Sequence, residues 1–215
     1  MASVQPHDNS AHTSGERSIE IERKYDVDPS TALPDWLGCA GISAVSEAEE
    51  RHLDAVYFDT PDAALAQSGT AVRRRTGGPD EGWHVKGPRR ADGRVEVQWP
   101  LSDEKQLPQG LIAHIHPIDA ETLTPLARIQ NDRVAFQLST AAGVIAEFVD
   151  DHVTATDLRT GVQRQWREWE IELGPAAPTT TQQQGELFAA VEQVVMAVGG
   201  RPSASGSKLA RALGA

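Results

Sequence analysis

Cysteine is almost absent from this sequence. The single residue, Cys39, rules out an intrachain disulfide and a thiolate-caged zinc, and nothing beside it marks a nucleophile. It is expected to be a small buried residue. Long apolar runs are also missing: no stretch approaches the roughly 18 to 20 residues that a membrane helix needs, so no membrane partner is expected. Basic charge is scarce, with 20 Lys and Arg against 31 Asp and Glu and a formal net charge of −11. That balance argues against a nucleic-acid partner, because such proteins present a basic surface to phosphates. Residues 1–17 lack the basic start and apolar core of a secretory signal. They read as a disordered tail, and the protein reads as cytoplasmic. Gly206-Ser207-Lys208 lacks the spacing of a phosphate-binding loop. His114 and His116, two apart before a proline, fit a loop or helix end better than a ligand pair.

An acidic chain can still hold a small polyanion if its few basic residues are gathered in one place. The stretch Ser18 to Tyr25 is where the charge pattern begins. At the two-residue period of a strand, Glu20, Glu22 and Lys24 share one face, while Ile19, Ile21 and Tyr25 share the other. Two neighbouring carboxylates repel unless water screens them or a cation sits between them. Either the face is solvated, or it is part of a site for a hard metal.

The same arrangement recurs along the chain. Thr70 to Thr76 places Arg73 and Arg75 together. Across a G-G-P-D-E-G turn, His84 and Lys86 share a face of W-H-V-K-G. Arg94, Glu96 and Gln98 alternate with Val95, Val97 and Trp99. Between Ser102 and Asn131, prolines and helical spacing predict two short helices, with the strand signal returning at Asp132 in R-V-A-F-Q-L. In the strand that follows, Glu147 and Asp151 share parity and Asp150 takes the opposite face unless a bulge shifts the register. Gln165 to Leu173 mirrors the opening, with Glu168, Glu170 and Glu172 on one face. A polar linker leads to an amphipathic helix beginning at Gly185, and Lys208 stands near the start of a short C-terminal helix.

Repeated antiparallel strands of this kind predict an α+β chain, mainly antiparallel β. Carboxylate sets and Arg/Lys sets segregated by strand are what a metal-bound polyphosphate needs. That favours charged faces turned inward, with helices covering the apolar faces outside.

E-I-E-R-K at 20–24 resembles the Glu-x-Glu-x-Lys signature of the CYTH domain, the triphosphate tunnel metalloenzyme family. R-R-R followed by W-H-V-K, the basic N-D-R, the late E-x-E-x-E and the closing S-K-L fall in that family's order. The likeness covers 18–213 and implies one CYTH domain there, built as a closed eight-stranded antiparallel β-barrel with covering helices. It implies phosphate contacts at Lys24, Arg73, Arg75, Lys86, Arg133 and Lys208. It implies Mg²⁺ or Mn²⁺ held by Glu20, Glu22, Glu168, Glu170 and Glu172, with Glu147 and Asp150 or Asp151 contributing. Arg94 and Glu96 are further lining candidates. Lys24 and Glu22 are the catalytic candidates, Lys24 through a pKa lowered by crowding cations so that it positions or deprotonates water. The expected activity is metal-dependent hydrolysis of triphosphate compounds, inorganic triphosphate being the simplest. Adenylate cyclase of the class IV type, thiamine triphosphate hydrolysis and a noncatalytic polyphosphate-binding module are the alternatives, and a homodimer is compatible with the family. A-E-F-V-D-D and S-K-L-A-R-A-L are similar to the CYTH half of proteins in which a CHAD domain follows. With nothing after Ala215, the domain is expected to stand alone.

Overall fold

A computed structural model describes residues 15–90, 93–101 and 107–214. Among them are β1 (Glu16–Glu20), β2 (Glu22–Val27), β3 (Ala44–Val45), β4 (Glu49–Asp59), β5 (Ala71–Thr76) and β6 (Gly82–Arg90). β7 (Gly93–Trp99), β8 (Thr124–Thr140), β9 (Gly143–Asp157), β10 (Gln163–Leu173) and β11 (Arg201–Pro202) complete a single sheet. The helices are α1 (Ala64–Gln67), α2 (Gln109–Ile115), α3 (Thr181–Ala197) and α4 (Lys208–Leu213). Short 3₁₀ turns lie at Cys39–Gly41 and Ala120–Thr122. The tail expected over 1–17 falls outside the described residues up to 14, and β1 begins inside it at Glu16.

Every strand pairing is antiparallel, in the order β1-β7-β6-β5-β4-β8-β9-β10-β2-β11, with β3 added beside β8. Among the described residues the ladder is open, so the mainly antiparallel sheet expected from the sequence is present without the closure of an eight-stranded barrel. The physical reason lies at Ile21, where the opening strand breaks. β1 spends its backbone hydrogen bonds on β7, β2 spends its own on β10, and the other edge of β2 is taken by β11. β1 and β2, consecutive pieces of one chain, therefore do not pair with each other, and the ladder runs from β1 to β11.

The two-residue alternation sorts the faces. Outside, Tyr25, Trp169, Ile171 and Phe148 lie under Leu187, Phe188, Val191 and Val195 of α3. A second outer cluster sets Val72, Trp83, Val85, Val97 and Trp99 against Leu65 of α1 and Leu111 and Ile115 of α2. The third cluster is on the inner face, where Ala55, Tyr57, Ala127, Ile129, Val153 and Ala155 receive Leu209, Ala212 and Leu213 of α4. Small side chains on the strands leave room for that helix inside the curled sheet.

Four sequence expectations shift. β8 starts at Thr124, eight residues before Asp132, because Pro125 sits beside the register irregularity between Tyr57 and Phe58. A missing N–H is tolerated at such a break, so the proline does not end the strand. Of the two helices expected before it, α2 and a 3₁₀ turn form, and the S-D-E-K start lies outside the described residues. α3 begins at Thr181 rather than Gly185: Thr180 Oγ1 accepts from the Gln183 backbone N–H at 3.3 Å, so the glutamine-rich stretch is the capped first turn. Cys39 is half-buried in a turn rather than buried.

Ile171 is fully enclosed between the sheet and α3. Ile171→Ala should lower the free energy of unfolding by about 2–5 kcal/mol, read from the denaturant midpoint at unchanged slope. A loss below about 1 kcal/mol would mean that α3 does not cover this face as described.

Candidate functional site

The inner face carries the charges that the opening motif announced. Although Ile21 breaks the strand, Glu20, Glu22 and Lys24 all line one cavity, with Arg73, Arg75, Lys86, Arg94, Arg133, Glu170, Glu172 and Lys208. Seven strands and the start of α4 deliver these groups. Three elements were harder to read from sequence. Tyr57 and Asn131 line the cavity, and Asp80 reaches it from the β5–β6 turn. Alternation places Tyr57 and Asn131 on the inner faces of β4 and β8, but apolar and neutral side chains carry no charge signal. In the β5–β6 turn, Gly77 and Gly78 have φ of 78° and 80°. A Cβ on Gly77 would come within 2.0 Å of the His52 carbonyl oxygen, so the turn needs glycine there.

Buried charges are tolerable only when paired, and most of the described cations of this face are paired with carboxylates, while Arg94 Nε donates to the Gly87 carbonyl at 2.7 Å. Arg133 forks onto Asp151 with two 2.7 Å bonds and reaches Glu170 at 3.0 Å. Lys208 Nζ contacts Asp151 at 2.8 Å, Glu168 at 2.5 Å and Glu170 at 2.6 Å. Lys24 pairs with Glu22 at 2.8 Å and with Glu170. Lys86 lies 2.7 Å from Glu20, and Arg73 3.4 Å from Glu96. Asp151 is the inward aspartate. Asp150 faces outward and pairs with Arg167 at 2.7 Å, which settles the alternative left open by the alternation.

Burial alone would drive these groups neutral, and their partners prevent it. For Asp151, burial is outweighed by Arg133 and Lys208, and its pKa falls to about 2. Glu170 is held well below the carboxylate range against burial by Lys208, Lys24 and Arg133. Lys208 is raised well above the ordinary ammonium value because Asp151, Glu168 and Glu170 overcome burial. Lys24 is raised too, by Glu170 and Glu22 against burial. That corrects the expected lowering: its nearest neighbours are carboxylates, so Lys24 stays an ammonium and does not abstract a proton at neutral pH.

Other groups lack a full complement of charge. Burial, with a hydrogen bond to Glu96, lifts Glu20 to about 7 despite Lys86. Burial also raises Glu172, which lies opposite Glu22 across the β10–β2 pair. Among donors, Nε of Arg73 and Nε of Arg75 are buried without a hydrogen-bond partner. The site thus has spare guanidinium donors on one side and under-neutralised carboxyls on the other. A bound anion and a bound cation would satisfy these respectively.

The oxygens of Asp151, Glu168 and Glu170 lie within 4.8 Å of one another, a geometry that could hold a metal ion, with Lys208 Nζ now among them. Glu147, also expected as a metal ligand, is elsewhere on the inner face. Both its oxygens accept from Arg51 at 3.1 Å, and Arg51 also forks onto Glu49. His84 is a further inner-face residue, fully buried, with Nδ1 2.8 Å from Glu96 and Nε2 3.0 Å from the Asp80 carbonyl. Burial outweighs the Glu96 contact and, with Arg73 and Arg75, lowers its pKa to about 4.

Comparison with known proteins places the chain in a family. Two uncharacterized proteins of Mycobacterium tuberculosis, MT2285 of strain CDC 1551 / Oshkosh and Rv2226 of strain ATCC 25618 / H37Rv, are each 38% identical to this chain over 212 residues. The match takes in 93% of this chain and 41% of each relative, so the chain spans less than half their length. Among solved structures, a putative adenylate cyclase from Bacillus halodurans aligns with a TM-score of 0.61 at 18% identity, covering 91% of this chain and 97% of its own. A putative adenylyl cyclase from Hippeastrum, HpAC1, described as having a dominant triphosphatase activity, aligns at 0.61 and 16%, covering 91% and 96%. At those identities the likeness shows the fold. The CYTH domain profile matches residues 18–194, most of the length, and this chain belongs to the CYTH domain family.

Proposed function

We propose that this protein hydrolyses triphosphate compounds with the help of a divalent metal, inorganic triphosphate being the simplest substrate that the site fits. The observation that carries the reading is the coexistence, on one cavity, of the buried and unpartnered Nε donors of Arg73 and Arg75 with the carboxyls Glu20 and Glu172, whose pKa burial raises. The donors suit phosphate oxygens, and the carboxyls, with Glu22, suit Mg²⁺ or Mn²⁺ through hard oxygen ligands. The bound metal would supply charge neutralisation on the phosphate oxygens.

The chain's own residues do the rest. Arg73, Arg75, Lys86, Arg133, Lys24 and Lys208 bind and orient the triphosphate and balance its charge, the main contributions in phosphoryl transfer. Water attacks the terminal phosphorus, the bridging P–O bond breaks, and phosphate and diphosphate leave. The functional unit extends past the family profile to α4, because Lys208 comes from there. Cyclisation of ATP would need room for a nucleoside. The apolar end of the inner face is filled by Leu209, Ala212 and Leu213 instead.

Phosphate release from inorganic triphosphate and from ATP, with Mg²⁺ or Mn²⁺ and with chelator, tests the reading, provided that cyclic AMP is assayed alongside. Glu22→Gln should cut turnover about a hundredfold while weakening triphosphate binding far less, and Arg75→Ala should weaken binding itself by about tenfold. Chelator should abolish release. Binding without any turnover would make the protein a polyphosphate-binding module, and cyclic AMP would make it a cyclase.

The raised pKa of Glu20 gives a second test. An acid whose folded pKa exceeds its unfolded value stabilises the fold while protonated and loses that contribution as pH rises from about 4.5 to about 7. Without metal, the melting temperature of Glu20→Gln relative to wild type should therefore rise between pH 5 and pH 8. The effect should correspond to at most about 3 kcal/mol. A difference independent of pH would place the Glu20 carboxyl in a neutralised environment.

A further inference from the structure

Lys208 reaches the carboxylates only because α4, six residues long, is held in one position. Apolar contacts of Leu209, Ala212 and Leu213 place the helix inside the sheet but leave its register along the inner face to polar contacts. Arg164 makes one of them, donating to the Ala212 carbonyl at 2.8 Å, and a single carboxylate gathers three more. Asp26, on β2 and two residues beyond Lys24, accepts from Ser203 Oγ at 3.1 Å and from Arg211 Nη1 at 2.5 Å through Oδ1. Its Oδ2 accepts from the Ala204 backbone N–H at 3.3 Å. The backbone of Ser203 also donates to the Lys24 carbonyl at 2.9 Å. A single carboxylate thus ties both flanks of the 203–211 segment to the strand that carries Lys24.

Arg211 is placed to make this tie matter. Its guanidinium lies over the Trp166 ring at 4.8 Å and stands 3.9 Å from Glu168, at the rim of the carboxylate group that Lys208 occupies. Without Asp26, Glu168 is the remaining acid within 4 Å of Arg211 among the described residues, and a move toward it would crowd Lys208. The nearby pair Arg201–Asp28, at 3.4 Å with both side chains about two-thirds exposed, contributes little by comparison. Asp26 and Arg211 are 25% and 30% exposed, and Asp26 gathers three donors rather than one.

We infer that Asp26, through Arg211 and the Ser203 turn, is the positioning residue that sets α4 and so presents Lys208 to a bound triphosphate. This rests on the triphosphate reading above. Asp26 touches no substrate atom, and its effect passes through the Lys208 ammonium.

The test is a double-mutant cycle read by calorimetric binding of inorganic triphosphate, with hydrogen exchange of residues 203–214 measured in the ligand-free proteins. Asp26→Asn should weaken binding about tenfold and speed exchange in α4. In a Lys208→Met background, the same change should cost no further affinity, because the group it positions is gone. Arg211→Gln should behave like Asp26→Asn, and it replaces that variant in the cycle should circular dichroism show Asp26→Asn unfolded. Additive losses, or wild-type affinity in Asp26→Asn with slow α4 exchange, would overturn the inference. If the wild type binds no triphosphate, the functional reading fails. Unchanged α4 exchange in both Asp26→Asn and Arg211→Gln then overturns the positioning role of Asp26 separately.

Discussion

The carboxylate of Glu170 is the interaction on which the rest of the inner face depends. Lys24 from β2, Arg133 from β8 and Lys208 from α4 all converge on it. Each of these charges is too deeply buried to stand alone. Their mutual neutralisation allows a sheet to turn its charged face inward, and that inversion sends the large apolar side chains outward. Trp169, Tyr25 and Ile171 then need α3, and Val72, Val85 and Trp83 need α1 and α2. The helices are a consequence of the ion pairs as much as of their own amphipathic patterns.

The faces of the strands were legible in the sequence because alternation is local. Glu20, Glu22 and Lys24 share a face, as do Arg73 with Arg75 and Glu170 with Glu172, and the structure brings all of them to one cavity. Properties set by distant partners were not legible. Crowding by cations was expected to lower the pKa of Lys24. The chain instead sets it against Glu170, 146 residues away, and raises it. The alternation gave Glu147 and Asp151 the same parity, but not that Arg51 would engage the first and Arg133 the second. Pro125 hid the start of β8, since the irregularity that tolerates it belongs to the pairing with β4. Tyr57 and Asn131 carried no charge to mark them.

α4 joins the packing of the inner face to its chemistry. Its apolar side completes the inner packing that the strands leave unfilled, and its N-terminal residue supplies a charge to the site. A segment with so few residues has little helical stability of its own. Its order comes from the sheet: Arg164 donates to the Ala212 carbonyl at 2.8 Å near the helix end, and Ser207 caps the start. Packing and chemistry are therefore coupled at the C-terminal end of the described chain.

Ile21 carries a different consequence. It is the one residue between a strand registered on β7 and a strand registered on β10. Each ladder fixes which way its own side chains point, so Glu20 and Glu22 look the same way only while both registers hold across this one-residue link. A residue added or removed there and absorbed by slipping one ladder by one position would turn that strand's carboxylate out of the cavity. The spacing of the opening motif is thus a mechanical tolerance of the sheet, set where two hydrogen-bond frames meet.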